Sequence, residues 1–537
     1  MPTTRNPSKW IWILLSFVVI SVGLVRIRLL DVPLERDEGE YAYMGRLLLD
    51  GIPPYSEATN MKFPGIYFAY AVILSIFPQT HTGIHFALLI VNLISTLLLF
   101  QIGRTLLNQQ AALIASASFA VLTLSYQVEG LWANAEHFVV FFALAGTMFL
   151  QRSIQQKSPL VLAASGLSFG LAFLTKQHGA FFVLFGLVCL IGTDLRRQEI
   201  RGRMMTRAGL FLLSSLLPLL LALLYFLSVG VFDRFYFWTF TYALEYASQG
   251  SLSDAPRYFF GSFKPLFHST MLLWLLAFVG LPAALLSIHY RGVRFFSFTF
   301  FLFSLVAVFP GLVFRPHYFI LVLPAVSVLV AIGTDWLYHF FSRLEHPAVR
   351  FGIPTFVVLT ALLSSFFAQK DIMFDLSPRM ISRITFGGNP FPESPEIARF
   401  IREQSSPEDK IGILGSEPQV FFYANRRSAT KFIYMYPLME DHPYALSMQR
   451  EMIDDLQHAD PKMLLYVNVR PSWLQRSTSH ELIFEWFATY KRRYEIVGLV
   501  EIRAGDEEPL FHRGKESASV NPQSPYWIAI YKRKESA

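Results

Sequence analysis

Charge is scarce in this chain. Of its 537 residues only 16% are Asp, Glu, Lys or Arg, while 53% are hydrophobic, and the mean hydropathy is +0.40. A soluble protein of this length does not carry so apolar a composition, and many membrane spans are implied. Cysteine is nearly absent as well. Cys189 stands alone inside an apolar run, so no intrachain disulfide forms, and the residue reads as a small core side chain. The N-terminus sets Arg5 and Lys9 before an apolar run, yet residues 23–28 offer no small-x-small cleavage site. It reads as an uncleaved first span rather than a removed signal peptide. A net charge of +7 would suit nucleic acid, but basic residues in a polytopic chain are explained first by topology, and nucleic-acid binding is set aside.

What the chain has in quantity is apolar sequence. A span needs roughly 20 such residues. Segments 10–30, 83–102, 111–126, 137–150, 160–174, 180–191, 208–229, 269–288, 295–308, 318–337 and 352–367 give about eleven candidates by hydropathy. The densest basic loop holds Arg196, Arg197, Arg201, Arg203 and Arg207, and the positive-inside rule places it in the cytoplasm. Counting outward from it puts Arg104, Arg152 with Lys157, Arg291 with Arg294, and Arg343 with Arg350 on the same side, together with the N-terminus. The count closes if the short apolar run 66–77 lies in the interface instead of crossing. The loop with Asp37 and Glu38, segment 129–137, Lys176-Gln177-His178, loop 232–264, Arg315-Pro316-His317 and everything after Ala368 then fall on the outer face. Function is expected there. Arg26, Arg28 and Arg36 depart from the rule, and they either snorkel to headgroups or meet an anionic ligand.

The expected architecture is therefore a polytopic α-helical membrane protein, residues 1–368, whose first outer loop, 31–82, carries interfacial helices. Residues 369–537 are expected to form an extra-cytoplasmic α/β domain, because strand and helix patterns alternate there. Strands are expected at 410–415, 431–434, 462–467, 494–502 and 526–531, and helices from Ser394-Pro395-Glu396 and over 417–425, 444–458 and 481–492. This region shows no internal repeat, no metal-ligand spacing and no glycine-rich phosphate motif.

Asp37, Glu38 and Glu40 are carboxylates crowded beside a hydrocarbon slab, a costly placement that usually serves chemistry or ion handling. One of the pair Asp37-Glu38 can act as general base toward an alcohol. Equally, the pair can be an acidic cap on an interfacial helix starting near Gly39, favoured by the helix dipole. Lys62, in Lys62-Phe63-Pro64-Gly65, is a cation on a stiffened turn, and an isolated lysine there often only snorkels. The guanidinium of Arg315, ahead of Pro316, has the planar fork that suits phosphate. With Lys176 these cations have one shared purpose available, the holding of an anionic lipid headgroup. Glu136 and His137, preceded by Trp132 at the aromatic-belt position, could join His178 or His317 around a divalent cation, although no spacing demands one.

Asp37-Glu38 in a first outer loop, the Lys62 turn, Glu136 before a span, the Leu174-Thr175-Lys176 corner and Arg315-Pro316-His317-Tyr318 together resemble the polytopic glycosyltransferases of the C fold class, GT-C. Among them the pattern is most similar to the protein O-mannosyltransferase-like bacterial members, which include the aminoarabinose lipid A transferases. The resemblance covers residues 1–367 in layout. It implies a polyprenyl-phosphate-linked sugar as donor and inverting hexosyl or pentosyl transfer at the outer face of the bacterial cytoplasmic membrane. The acceptor would be a glycolipid, glycan or protein, and membrane lipid is the surrounding partner. It also implies Asp37 as catalytic, with Glu38 beside it, and Lys62, Lys176, Arg315 and His317 at the donor phosphate. Lys62 is followed by Phe63 where proline is commoner. A lipid or solute transporter is the alternative, but it should place ionisable groups within spans and show related halves.

Overall fold

A computed structural model describes residues 8–342, 344 and 346–534. Arg5 and Arg343, counted above with the basic residues, lie outside them.

Each expected apolar segment is helical. The helices of the membrane region are α1 (Lys9–Arg28), α2 (Arg36–Leu49), α3 (Gly65–Ile76), α4 (His81–Leu106), α5 (Gln109–Leu122), α6 (Ala135–Gln156), α7 (Pro159–Thr175), α8 (Ala180–Arg196), α9 (Arg201–Ser228), α10 (Phe232–Tyr236), α11 (Ala243–Ser248), α12 (Ala255–Ser269), α13 (Met271–Leu286), α14 (Arg294–Val306), α15 (Leu323–Phe341) and α16 (Pro347–Phe367). Their starts follow local chemistry. Thr80 and Asn108 side chains accept the Gly83 and Ala111 amides to cap α4 and α5, and Ser158 caps α7 with Pro159 at its first position.

Among the described residues, 7 helices are long and apolar enough to cross a membrane, or 8 when the bent pair α12–α13 is one span; α3, α5, α7 and α14 are shorter. The chain is a multi-pass membrane protein. α12 meets α13 at 103°, so much of the expected loop 232–264 is helix that turns sharply before descending. α3 covers the run expected to lie in the interface, and α2 starts at Arg36, three residues before Gly39.

α15 is the central helix. The span Pro316–Phe341 that contains it is 83% buried in its apolar window. Its contact with α13 depends on two glycines, since a Cβ at Gly280 would stand 1.9 Å from the Leu329 carbonyl oxygen and one at Gly333 2.2 Å from that of Leu276. Small residues that let backbones approach are the usual basis of helix association in lipid, where burying apolar surface gives no advantage.

The C-terminal region holds α17 (Pro378–Phe386), α18 (Ser394–Gln404), α19 (Pro418–Ala424), α20 (Tyr436–Met439), α21 (Ala445–Ala459), α22 (Arg470–Trp473) and α23 (Leu482–Tyr490) around a sheet of β1 (Ile411–Leu414), β2 (Met463–Asn468), β3 (Tyr494–Glu501), β4 (Leu510–Arg513) and β5 (Trp527–Arg533). The strand order is β1-β2-β5-β3-β4. β1 and β2 are parallel, with Ile411 opposite Met463, and the remaining pairs are antiparallel. One expectation fails and one strand is new. Residues 431–434 form no strand, because the β1 edge beside them is met only by a single bridge between Ile411 and Ser428. β4 was not foreseen, its short Leu-Phe-His-Arg being too polar for a strand signal.

The two regions share one apolar core. Tyr41, Tyr67 and Tyr70 of the first loop belong to the same cluster as Phe421, Ile413 and Leu464 of the sheet domain. Gly39 permits a close approach between them, as a Cβ there would lie 2.5 Å from the Gln419 Cβ.

The N-terminal arginines find hydrogen-bond partners within the chain. Arg26 donates to the Gly130 and Thr123 carbonyls at 3.1 and 2.9 Å, and Arg28 to those of Phe374 and Leu376 at 2.6 and 3.1 Å. Both satisfy backbone oxygens left free at turns and helix ends. Arg36 pairs with Glu417.

Gly333→Val should lower stability by about 1–3 kcal/mol, the usual cost of overpacking, read as a lower melting temperature in detergent. Gly352→Ala, whose Cβ would meet nothing within 4 Å, should stay within about 0.5 kcal/mol of the parent.

Candidate active site

The site begins with the cap of α2. The Glu35 carboxylate accepts the Asp37 and Glu38 amides at 2.9 and 2.8 Å, and Glu38 reaches back to the Glu35 amide at 3.3 Å, a reciprocal capping box. Asp37 and Glu40, three residues apart, thereby share one face of α2, and Glu38 points another way. Glu38 is fully buried. One of its oxygens accepts from the Ala133 amide and lies 3.0 Å from His85 Nε2, so it braces α2 against α4 and the start of α6, away from the cavity lining. The acidic-cap reading and the base reading thus divide between neighbours: Glu35 and Glu38 cap, and Asp37 faces the cavity.

Lys62 lies between two acids. Its Nζ is 2.8 Å from Asp37 Oδ1 and 2.7 Å from Glu40 Oε2, and 4.6 Å from the centre of the Tyr41 ring. The turn that carries it is held from outside, with Tyr55 Oη donating to the Lys62 carbonyl and Gln177 Nε2 to that of Met61. Gly65 permits the approach to α7, as a Cβ there would sit 2.5 Å from the Leu174 carbonyl oxygen.

The two carboxyls respond in opposite ways. Burial alone would raise Asp37, but the Lys62 ammonium, with His317 farther off, holds it well below the usual carboxylate range. For Glu40 burial prevails over Lys62, with the Asp37 charge adding to it, and the carboxyl is raised. Burial would lower Lys62, and the two acids more than reverse this. Asp37 is accordingly the more acidic of the two.

Lys176 leaves the end of α7 in extended conformation, pairs with Glu136 and lies 4.3 Å from the centre of the Tyr318 ring. His317 Nδ1 is 2.7 Å from Glu129 Oε2. His178 Nδ1 is 2.6 Å from the Ala307 carbonyl oxygen. His137 is buried away from the cavity, and among the described residues Glu136, His137, His178 and His317 do not gather as donor atoms within 4.8 Å of one another. Trp132, expected at the bilayer interface, is buried, its Nε1 donating to the Pro33 carbonyl. Arg315 precedes the 3-10 turns Pro316–Val322 that lead into α15. Its side chain is exposed in the cavity, and among the described residues no carboxylate pairs with it.

Asp37, Lys62, Lys176, His178, Arg315 and His317 therefore line one cavity of about 400 Å³. The basic stretch from Arg196 to Arg207 lies at the opposite ends of α8 and α9. Residues not foreseen complete the wall: Tyr242 and Tyr246 from the helical loop, and Tyr434, Tyr436 and Glu440 from the C-terminal domain. Tyr434 Oη donates to Asp37 Oδ1 at 2.8 Å. No sequence signal marks it, because it comes 397 residues later in the chain.

Residues 61–222 match the family model described as dolichyl-phosphate-mannose-protein mannosyltransferase. That stretch includes Lys62, Glu136 and Lys176. ArnT from Cupriavidus metallidurans, in its crystal structure bound to undecaprenyl phosphate, aligns with a TM-score of 0.60 at 15% identity, over 86% of this chain and 94% of that one. The apo state of the same protein gives 0.56 at 14%, over 96% and 97%. The oligosaccharyltransferase AglB from Archaeoglobus fulgidus, in complex with an inhibitory peptide and a dolichol-phosphate, gives 0.51 at 10%, over 95% and 75%. No curated protein sequence matches the chain. The fold is that of the GT-C glycosyltransferases. The first loop, the helices matched by the family model and the C-terminal domain each contribute a wall of the cavity.

The domain is fastened to the loop by Arg36. Its guanidinium meets Glu417 Oε1 at 2.9 Å, Asn389 Oδ1 at 2.8 Å and Tyr436 Oη at 2.8 Å, and also the Ser416 carbonyl. Glu417 is fully buried. Glu417→Ala should cost about 3 kcal/mol, as removing one partner of a buried pair does, and should show as earlier unfolding in denaturant and faster proteolysis between the two regions. Glu396→Ala, in a partly exposed pair with Arg513, should cost less than about 1 kcal/mol.

Proposed function

We propose that the chain transfers a sugar, hexose or pentose, from a polyprenyl-phosphate donor to an acceptor hydroxyl at the outer face of a bacterial cytoplasmic membrane. The C-terminal domain is then extra-cytoplasmic. The observation that supports this best is the convergence of Asp37, Lys62 and Arg315 on one cavity at the end of the spans opposite the basic loops. That ArnT binds undecaprenyl phosphate and AglB a dolichol-phosphate supports the same donor class.

A sugar on a lipid phosphate already carries a leaving group, so the protein has to supply orientation, a base and positive charge. The Asp37 carboxylate takes the acceptor proton as the hydroxyl oxygen attacks the anomeric carbon from the face opposite the phosphate. The bond from that carbon to the phosphate oxygen breaks, its electrons stay with the polyprenyl phosphate, and the configuration inverts. Lys62 has three ammonium donors; two meet Asp37 and Glu40, and the third is directed to the phosphate. Lys176 with His317 beside it, and Arg315, which has no carboxylate partner among the described residues, complete the positive side.

Asp37 in the resting site is held low and is a weak base. An arriving phosphate draws on Lys62 and adds negative charge nearby, so the Asp37 pKa rises when donor binds. The acid limb of kcat should therefore lie at higher pH than that of kcat/KM, since the second reports the free enzyme. Coincident limbs would count against Asp37 as the base. Asp37→Asn should insert and fold normally while turnover in membranes falls by about 10²-fold or more, and retained turnover would remove it from that role. Arg315→Ala should raise the apparent donor KM by about ten- to a hundredfold, the worth of a hydrogen bond to a charged group, with less effect on kcat.

A further inference from the structure

We infer that the end of the membrane region opposite the cavity carries a binding site for a divalent first-row transition metal, formed by His289, Asp335 and His339. One donor atom from each of the three lies within 4.8 Å of the others. His289 sits in the 3-10 turn Ile288–Tyr290 between α13 and α14, while Asp335 and His339 are one helical turn apart on α15. Helical residues four apart share a face, which turns both toward the same point. His289 Nε2 and His339 Nε2 are 3.8 and 3.6 Å from Asp335 Oδ2.

Metal bonds of about 2.0–2.2 Å to imidazole and carboxylate place tetrahedral ligands roughly 3.3–3.6 Å apart, so the observed spacings close on an ion with small side-chain rotations. The two imidazole rings stand 4.1 Å apart, centre to centre. Two imidazolium charges at that separation repel, whereas one dication accepting a lone pair from each neutral ring does not. Two imidazoles and one carboxylate suit zinc and its neighbours rather than magnesium or calcium, which prefer oxygen ligands.

The carboxylate is also oriented from behind. The Tyr290 hydroxyl donates to Asp335 Oδ2 at 2.8 Å and Asn108 Nδ2 to Oδ1 at 3.0 Å. Outer partners of this kind fix the direction of metal-binding carboxylates. Arg294, the nearby cation, is directed at the Ala284 and Ser287 carbonyls instead. The side chains of His289 and His339 are about half exposed, so an ion has access from solvent and water fills the remaining position. Bound metal would tie the α13–α14 turn to the end of α15 and, through Asn108, to the start of α5. This site is independent of the proposed transfer reaction.

The test uses the purified full chain in detergent, stripped with a chelator and titrated with Co²⁺ alone, by equilibrium dialysis and by its ligand-field absorption. One tight equivalent with a tetrahedral or five-coordinate spectrum is expected. His289→Ala and His339→Ala should each weaken it by about a hundredfold, and Tyr290→Phe by about tenfold, as loss of an outer partner does. Both histidines are half exposed, so the variants should elute and melt like the parent without metal. Absence of a tight equivalent, or equal binding by the double variant, overturns the site. A cobalt signal that survives the double variant and vanishes in His317→Ala places the metal in the cavity and also overturns it.

Discussion

The structure of the candidate site depends on one buried ammonium shared by two carboxylates. Lys62 reaches Asp37 and Glu40 across the first loop, and three charges out of water are tolerable only because each has a partner. Moving any one of them would leave the others uncompensated. This explains the scaffolding around the loop: a capping box at the start of α2, a tyrosine on the Lys62 carbonyl, a glutamine on that of Met61, and glycine where the turn meets α7. The same sharing separates the two acids, since burial raises Glu40 while the Lys62 charge keeps Asp37 low. Environments that push like groups apart are how a site gives similar residues different roles.

The C-terminal domain belongs to that arrangement rather than hanging from the membrane region. Its core is continuous with the tyrosines of the first loop, Arg36 fastens the two together, and Tyr434 donates directly to Asp37. Separated from this domain, the Asp37 carboxylate would lose a hydrogen-bond donor and much of the wall that shields it from water. Arg315 lines the same space, and among the described residues no carboxylate pairs with it, which leaves it able to take an anion.

The helices were legible because a lipid-facing backbone leaves few options. A run of roughly 20 apolar residues must satisfy its own hydrogen bonds as a helix, so each expected segment is one. Asp37, Lys62, Lys176 and Arg315 could be found because charges at span ends are costly and few. One reading failed where a partner had to come from far away: residues 431–434 have strand composition but form no strand. The carbonyls of segments 123–130 and 374–376 that Arg26 and Arg28 meet are equally distant in sequence and carry no local signal. Asp37 and Glu38 are adjacent and alike in the chain, yet only packing turns one into a brace for His85 and Ala133 and the other toward the cavity.

The sequence by itself determined that this is a multi-pass helical membrane protein with an α/β appendage, and which end of the spans carries the polar residues. Both follow from hydrophobicity and the distribution of charge, which are local properties of the chain. Only the tertiary structure decided that the appendage closes the site, that Tyr434 holds Asp37, that Glu38 is structural, and that His289 meets Asp335 and His339. Those facts are distances between segments tens to hundreds of residues apart, set by how helices and sheet pack, and no local pattern encodes them.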